Sequence, residues 1–172
     1  MYQVYDNVTG LAVNTPKSYG KSLKADQLSE GIAKFFPVGN ELGVESSSGL
    51  PVSILRRMLL GIRDEVRDIR NVLGGLELRM VGVSMLIVYE SDWDRAREGM
   101  EKLGKEEVEN EEDDDEDEDE EEEETGTGPP FVVKLIDFAH TKMVPGEGQD
   151  EGVIKGINTI VELLEKRASM ID

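Results

Sequence analysis

The sequence predicts an α+β fold, an antiparallel sheet with helices packed on it, and three features predict it. Leu55, Leu59, Ile62, Val66, Ile69 and Leu73 recur every three or four residues, so they form one apolar stripe along a long helix. Two runs, Leu78 to Tyr89 and Phe131 to Phe138, are β-branched and apolar and have the chemistry of strands that pair with each other. A second helical stripe runs from about Asp150 to Lys166. At 172 residues, 38% of them hydrophobic, the chain has the size of one domain with a modest core.

Taken in order, the segment from Met1 to about Gly49 is rich in Gly, Pro, Ser and Asn, and its turn signals leave room only for short elements. A helix is expected over Lys24 to Phe36, carried by Leu28, Ile32 and Phe35 or Phe36, which read as core, and stopped by Pro37. The long helix begins near Pro51, since proline at a first turn lacks only an amide hydrogen that would go unpaired there. Arg56, Arg63, Asp64, Arg67 and Asp68 lie off its stripe and face water. Gly74-Gly75 is expected to close it in the left-handed conformation. Leu78 to Tyr89 reads as one central strand, buried on both faces toward its end. A short helical stretch after Trp93 leads into an acidic tract, and the final helix places Val153, Ile157, Ile160 or Val161, and Leu164 on one face. Acids near the start of that helix and Lys166-Arg167 near its end suit the helix dipole.

The charge is concentrated. Of the net −19, the stretch 105–124 supplies −16, from 17 carboxylates and one lysine, so the rest of the chain is nearly neutral. Residues 105–130 are expected to form a disordered insertion, because self-repulsion without apolar residues leaves nothing to offset ordering entropy. The balance argues against a basic nucleic-acid surface and against docking on anionic membranes. The absence of cysteine excludes disulfides, thiolate metal sites and a cysteine nucleophile. No uncharged apolar run approaches the roughly 18 residues of a membrane helix and the N-terminus has no signal pattern, so the chain reads as intracellular, in the nucleus or the cytoplasm. The 14 consecutive carboxylates from Glu111 to Glu124 offer a surface to basic nuclear proteins, with a solvated loop as the plainer alternative. They lack the turning, glycine-bearing loop that a Ca2+ site needs.

Few residues remain for chemistry. There is one histidine, no Gly-x-Ser-x-Gly elbow, no Walker A lysine and no Gly-x-Gly-x-x-Gly after a strand. What stands out is Leu135-Ile136-Asp137-Phe138-Ala139-His140, in which an apolar strand delivers a carboxylate where it leaves the core. Asp137 so placed either binds a metal against nucleotide phosphates or is ordinary turn chemistry at a strand end. His140 alone reads more readily as a structural or exposed histidine than as a functional one.

This hexapeptide resembles the Ile-Asp-Phe-Ala-His signature of the inositol polyphosphate kinase family. Ser84-Met85-Leu86-Ile87-Val88-Tyr89-Glu90 is similar to the family's Ser-Leu-Leu-Phe-Val-Tyr-Glu strand, with Val83 in place of the usual first serine. Tyr19-Gly20-Lys21-Ser22-Leu23, followed by Glu30-Gly31 and Phe35-Phe36, resembles its Tyr-Gly-Arg-Ser-Leu segment. Asp150-Glu151-Gly152 with Gly156 matches its Asp-x-Gly-x-x-x-Gly helix start. The long acidic insertion is similar to that of fungal multikinases.

The resemblance implies that residues 1–172 form the larger, C-terminal lobe of a two-lobed, kinase-like domain that uses ATP and Mg2+ to phosphorylate an inositol tris- or tetrakisphosphate. It implies that Asp137 binds the metal and orients the ATP phosphates, that Ser84 supports it from the neighbouring strand, and that His140 lies near the inositol phosphate. Lys17 and Lys21 are weaker phosphate contacts, with solvated surface lysines as the alternative. A hexakisphosphate kinase is the nearest other enzyme, and a non-catalytic acidic binding module is the alternative from another class. The family's Pro-x-x-x-Asp-x-Lys-x-Gly segment and its N-terminal lobe have no counterpart in the sequence. The chain by itself is therefore expected to be a poor kinase, with apolar surface exposed and marginal stability or self-association as the result.

Overall fold

The computed structural model describes residues 2–39, 49–112 (side chains to 105) and 128–171. Its N-terminal segment forms a hairpin absent from the sequence-based expectation: β1 (Tyr2–Asp6) pairs antiparallel with β2 (Leu11–Thr15). The turn is built by Asp6, whose Oδ1 accepts from the amides of Val8 (3.0 Å) and Thr9 (2.8 Å), and by Gly10 at φ 68°. A short helix α1 (Lys17–Ser22) follows. The helix expected over Lys24 to Phe36 starts later as α, because Ala25–Gln27 is a 3-10 turn and α2 spans Leu28–Phe35. Phe36 is fully buried, as core chemistry requires, and Phe35 packs on the core edge-to-face between Tyr2 and Tyr89.

The long helix α3 (Val52–Gly74) begins after Pro51 and buries Leu55, Met58, Leu59, Ile62 and Val66 completely. They pack against α5 (Glu151–Met170), which contributes Ile154, Ile157, Leu164 and Ala168 to the same core. Gly75 does not close α3 in the left-handed conformation. It sits at φ −89° and ψ −2°, and the end tightens into i→i+3 bonds from Gly75 N to Val72 O and from Leu76 N to Leu73 O, both 3.1 Å, which satisfy the terminal carbonyls without a positive φ.

The run from Leu78 to Tyr89 is two strands rather than one. Gly82, at φ 74°, interrupts it, leaving β3 (Leu78–Met80) and β4 (Ser84–Tyr89) in different sheets. β4 pairs antiparallel with β5 (Phe131–Ile136), as expected, whereas β3 pairs with a short β6 (Thr141–Met143). Burial of β4 on both faces is also not observed. Met85, Ile87 and Tyr89 pack on the core, while Leu86 and Val88 of the other face are 41% and 52% exposed. The outer face continues on β5 through Val132, Lys134 and Ile136, which stand opposite Val88, Leu86 and Ser84.

Helix α4 (Trp93–Glu112) carries Ala96 and Met100 into the core and runs into the acidic tract, so residues 105–112, assigned above to a disordered insertion, are helical. The remainder of that tract, and the side chains from Glu111 to Glu124 proposed to meet basic proteins, lie outside the described residues. Among the described residues no helix is long and apolar enough to cross a membrane.

Candidate functional site

β5 ends at Ile136, and the backbone then turns sharply: Asp137 has φ 68° and ψ 50°, the one non-glycine residue with positive φ among those described. Asp tolerates this region better than most residues, yet it remains a costly place for a side chain, on the order of 1 kcal/mol. A 3-10 turn, Phe138–His140, follows at once. The turn reading of Asp137 would have its carboxylate accept from nearby backbone amides, as that of Asp6 does. Asp137 makes no such side-chain cap and is exposed. The strand therefore delivers a carboxylate that its own turn does not use.

Two further residues named from sequence converge on it. Ser84 opens β4 directly opposite Ile136, one residue from Asp137, on the exposed face of the hairpin. His140 closes the 3-10 turn and is pinned by its carbonyl, which accepts from Val81 N at 3.1 Å. Lys17 and Lys21 are not brought there. Both are exposed on α1, whose Tyr19 meets Tyr2 edge-to-face, which meets Phe35, which meets Tyr89. That chain of rings ties α1 to the Tyr89 end of β4, about 17 Å along the strand from Ser84.

The sequence motif Asp150-x-Gly152-x-x-x-Gly156 also reaches this region, by a route that periodicity did not reveal. Asp150 caps α5, Oδ1 accepting from Gly152 N (3.1 Å) and Val153 N (3.2 Å), while Oδ2 accepts from Met80 N at 3.0 Å. One carboxylate thus joins the end of β3 to the start of α5. Glu77 does the same for the preceding loop, accepting from Gly146 N (2.8 Å) and Gly148 N (3.2 Å), and no local signal marked it. Between these elements lies a cleft of about 390 Å³ that Gly82, Ser84, Leu135, Asp150 and Gly156 help to line.

The Met80 amide, then those of Val153 and Gly152, hold the Asp150 carboxyl below its ordinary range, and the Arg79 charge adds to this. The stabilisation is complete above the unfolded value near pH ~4 and disappears as pH falls through the lowered folded value. Asp150→Ala should cost roughly 1 kcal/mol at neutral pH, the typical value of an N-cap, and the variant should lose less stability than the parent between pH 5 and 2 in urea titrations. Gly156→Ala should have the opposite sign, because no atom lies within 4 Å of the added Cβ. A gain of roughly 0.5–1 kcal/mol is expected from the better helix former, read in the same titration.

Metal chemistry at this site rests on one carboxylate, since no group of three or more His, Asp or Glu gathers among the described residues. That donor set suits Mg2+ or Mn2+, which take one or two carboxylates and complete their shell with phosphate oxygens and water, and it does not suit a metal that needs an all-protein cage.

The family model described as inositol polyphosphate kinase matches residues 1–165. The inositol polyphosphate multikinase of Saccharomyces cerevisiae is 33% identical over 165 residues, covering 87% of this chain and 44% of that protein. A crystal structure of an inositol phosphate multikinase from S. cerevisiae, in complex with ADP and Mn2+, superposes with a TM-score of 0.56 at 24% identity, over 91% of this chain and 51% of the other. The chain thus spans about half the length of the relatives it matches.

Proposed function

This chain belongs to the inositol polyphosphate kinase family, and on that premise we propose that it supplies the metal-binding carboxylate and the floor of the nucleotide site for transfer of the ATP γ-phosphate to a hydroxyl of an inositol polyphosphate. The observation that carries this reading is Asp137, held left-handed and uncapped at the end of β5. Beside it lies the outer face of the β4–β5 hairpin, where Leu86 and Val88 are exposed, Val132 and Ile136 are half-buried, and Lys134 stands opposite Leu86. A largely aliphatic floor that carries Lys134 and ends in a carboxylate suits a nucleotide, with the base on the aliphatic side chains and the phosphates toward Asp137.

Each residue then has a defined task. Asp137 holds the divalent ion, which supplies neutralisation of phosphate charge. Ser84, one ladder position away, presents a hydroxyl to the same region and helps hold the phosphates. His140, exposed one 3-10 turn on, is placed to donate to an acceptor phosphate. Phosphoryl transfer depends on positioning and electrostatics, so half a clamp leaves most of the barrier in place. The ADP- and Mn2+-bound relative supports nucleotide and metal use; an inositol tris- or tetrakisphosphate as acceptor is what the motif resemblance implies, and a substrate panel decides it against the hexakisphosphate.

The test has a binding arm and a transfer arm. Mn2+ with ADP should broaden the amide resonances of Ile136, Phe138 and His140 in this chain, and Asp137→Asn should abolish the broadening. Transfer from ATP to inositol tris- or tetrakisphosphate should be negligible for the chain alone. It should appear in a chimera in which the chain replaces the matched half of the yeast multikinase. Broadening that persists in Asp137→Asn, or a chimera whose turnover ignores that substitution, would overturn the reading.

A further inference from the structure

The outer face of the β4–β5 hairpin consists of Ser84, Leu86 and Val88 on one strand and Val132, Lys134 and Ile136 on the other. Lys134 is its one charged residue and stands at its centre, opposite Leu86. The Ser84–Ile136 row lies on the side of Asp137 and the Val88–Val132 row on the far side. Lys134 is exposed, and its ammonium has no ion pair or side-chain hydrogen bond among the described residues. Arg63, Arg67, Arg79, Arg95 and Arg97, by contrast, each meet a carboxylate. The fold thus sets a cation in the middle of an aliphatic face and gives it nothing to bind.

Whatever lies on that face must deal with the charge. An occupant that covers Lys134 takes water from the ammonium, and burying a cation is costly unless an anion replaces the water. Leu86, Val88, Val132 and Ile136 supply none. Asp137 lies three residues on, roughly 10 Å along the strand, and the four-carbon stem of a lysine carries its ammonium roughly 6 Å from Cα. Extended along the strand, the ammonium therefore covers the interval between the aliphatic floor and Asp137. With the base on the aliphatic side chains and the metal-bound phosphates at Asp137, the anionic group in that interval is the α-phosphate. The stem meanwhile adds its methylenes to the floor, as lysine does on apolar surfaces.

We propose that Lys134 is a positioning residue for the nucleotide, its ammonium pairing with the α-phosphate while Asp137 serves the terminal phosphates through the divalent ion. The inference rests on the nucleotide site proposed above and adds to it a charge contact that needs no metal. Pairing at the α-phosphate fixes where the nucleotide lies along the hairpin, and so how far its terminal phosphate extends past Asp137 toward an acceptor. A lysine on an edge strand also discourages association between sheets, and that role asks nothing of a phosphate.

Titrations with AMP and with adenosine, both without metal and followed by the amide resonances of Leu86, Val88 and Val132, separate the two roles. AMP should bind about three- to fivefold more tightly than adenosine, the scale of one solvent-exposed charge pair. Lys134→Gln should bring the two affinities together by weakening AMP alone, and Lys134→Arg should keep them apart. In the chimera with the remaining half of the yeast multikinase, Lys134→Gln should raise KM for ATP by about the same factor and act on kcat less, as loss of a contact held in both ground and transition state does. Equal affinities in the parent, or an AMP preference that survives Lys134→Gln, would overturn the inference and leave the lysine as a charge against aggregation. So would a Lys134→Gln variant that loses inositol trisphosphate instead of AMP, which would give the cation to the acceptor. Floor amides that respond to neither AMP nor adenosine, in the chain and in the chimera alike, would sink the nucleotide site itself and this inference with it.

Discussion

Asp137→Gly should make the protein more stable and remove its divalent-ion binding in one step. Glycine occupies φ 68° and ψ 50° without the steric penalty that Asp bears there. Relief of about 1–2 kcal/mol is set against roughly 0.5–1 kcal/mol of extra entropy in the unfolded chain. The net gain should be about 0.5–1 kcal/mol, or about 2 °C in Tm for a chain of this size. Asp137→Asn keeps the backbone preference and loses the charge, so its stability should stay within about 0.5 kcal/mol of the parent. Both should eliminate Mn2+-dependent broadening and reduce turnover of the chimera by roughly 10²–10³-fold, the scale on which one preorganised electrostatic contact acts. A residue whose removal stabilises the fold and abolishes metal binding is kept for its chemistry. If Asp137→Gly instead unfolds the chain, the carboxylate is structural and the metal assignment fails.

Gly61→Val should be strongly destabilising, although in an isolated helix valine would be the better residue. A Cβ at position 61 lies 2.5 Å from Cζ and 2.8 Å from Cε1 of Phe131. That ring starts β5 opposite Tyr89 and packs against the core, so it has little room to withdraw. Overpacking of this kind costs roughly 1–3 kcal/mol and occasionally more, which chemical denaturation will read directly. The double variant Gly61→Val with Phe131→Ala should be less destabilised than the sum of the two single variants, since the clash and the ring are one interaction. Strict additivity would show that α3 and β5 do not meet as described. Because β5 runs from Phe131 to the residue before Asp137, the single variant should also shift the amide resonances around Asp137. The contrast with Gly156→Ala is set by position alone: both glycines are helical, and only one faces an aromatic ring.

What could be read locally was read from periodicity. Leu55, Leu59, Ile62 and Val66 on α3, and Ile157 and Leu164 on α5, carry their burial in their spacing, because a helix face that recurs every three or four residues must be covered. The pairing of β4 with β5 and the position of Asp137 at the strand's end were equally legible, since a run of β-branched residues that stops at a carboxylate marks both a strand and its exit. Conformation at single residues was not. Gly82 splits Leu78 to Tyr89 because β3 finds its partner in β6, some 60 residues away, and no local pattern encodes that choice. The left-handed backbone of Asp137, the second bond of Asp150 to Met80, and the grip of Glu77 on the loop before α5 likewise depend on segments far apart in sequence. So does the separation of Lys17 and Lys21 from the Asp137 end of the hairpin, which a chain of edge-to-face rings decides. Burial is a property of a residue's own neighbours along the chain, repeated often enough to read. Edges, register and the orientation of a single carboxylate belong to pairs of distant segments, and only the tertiary structure brings those pairs together.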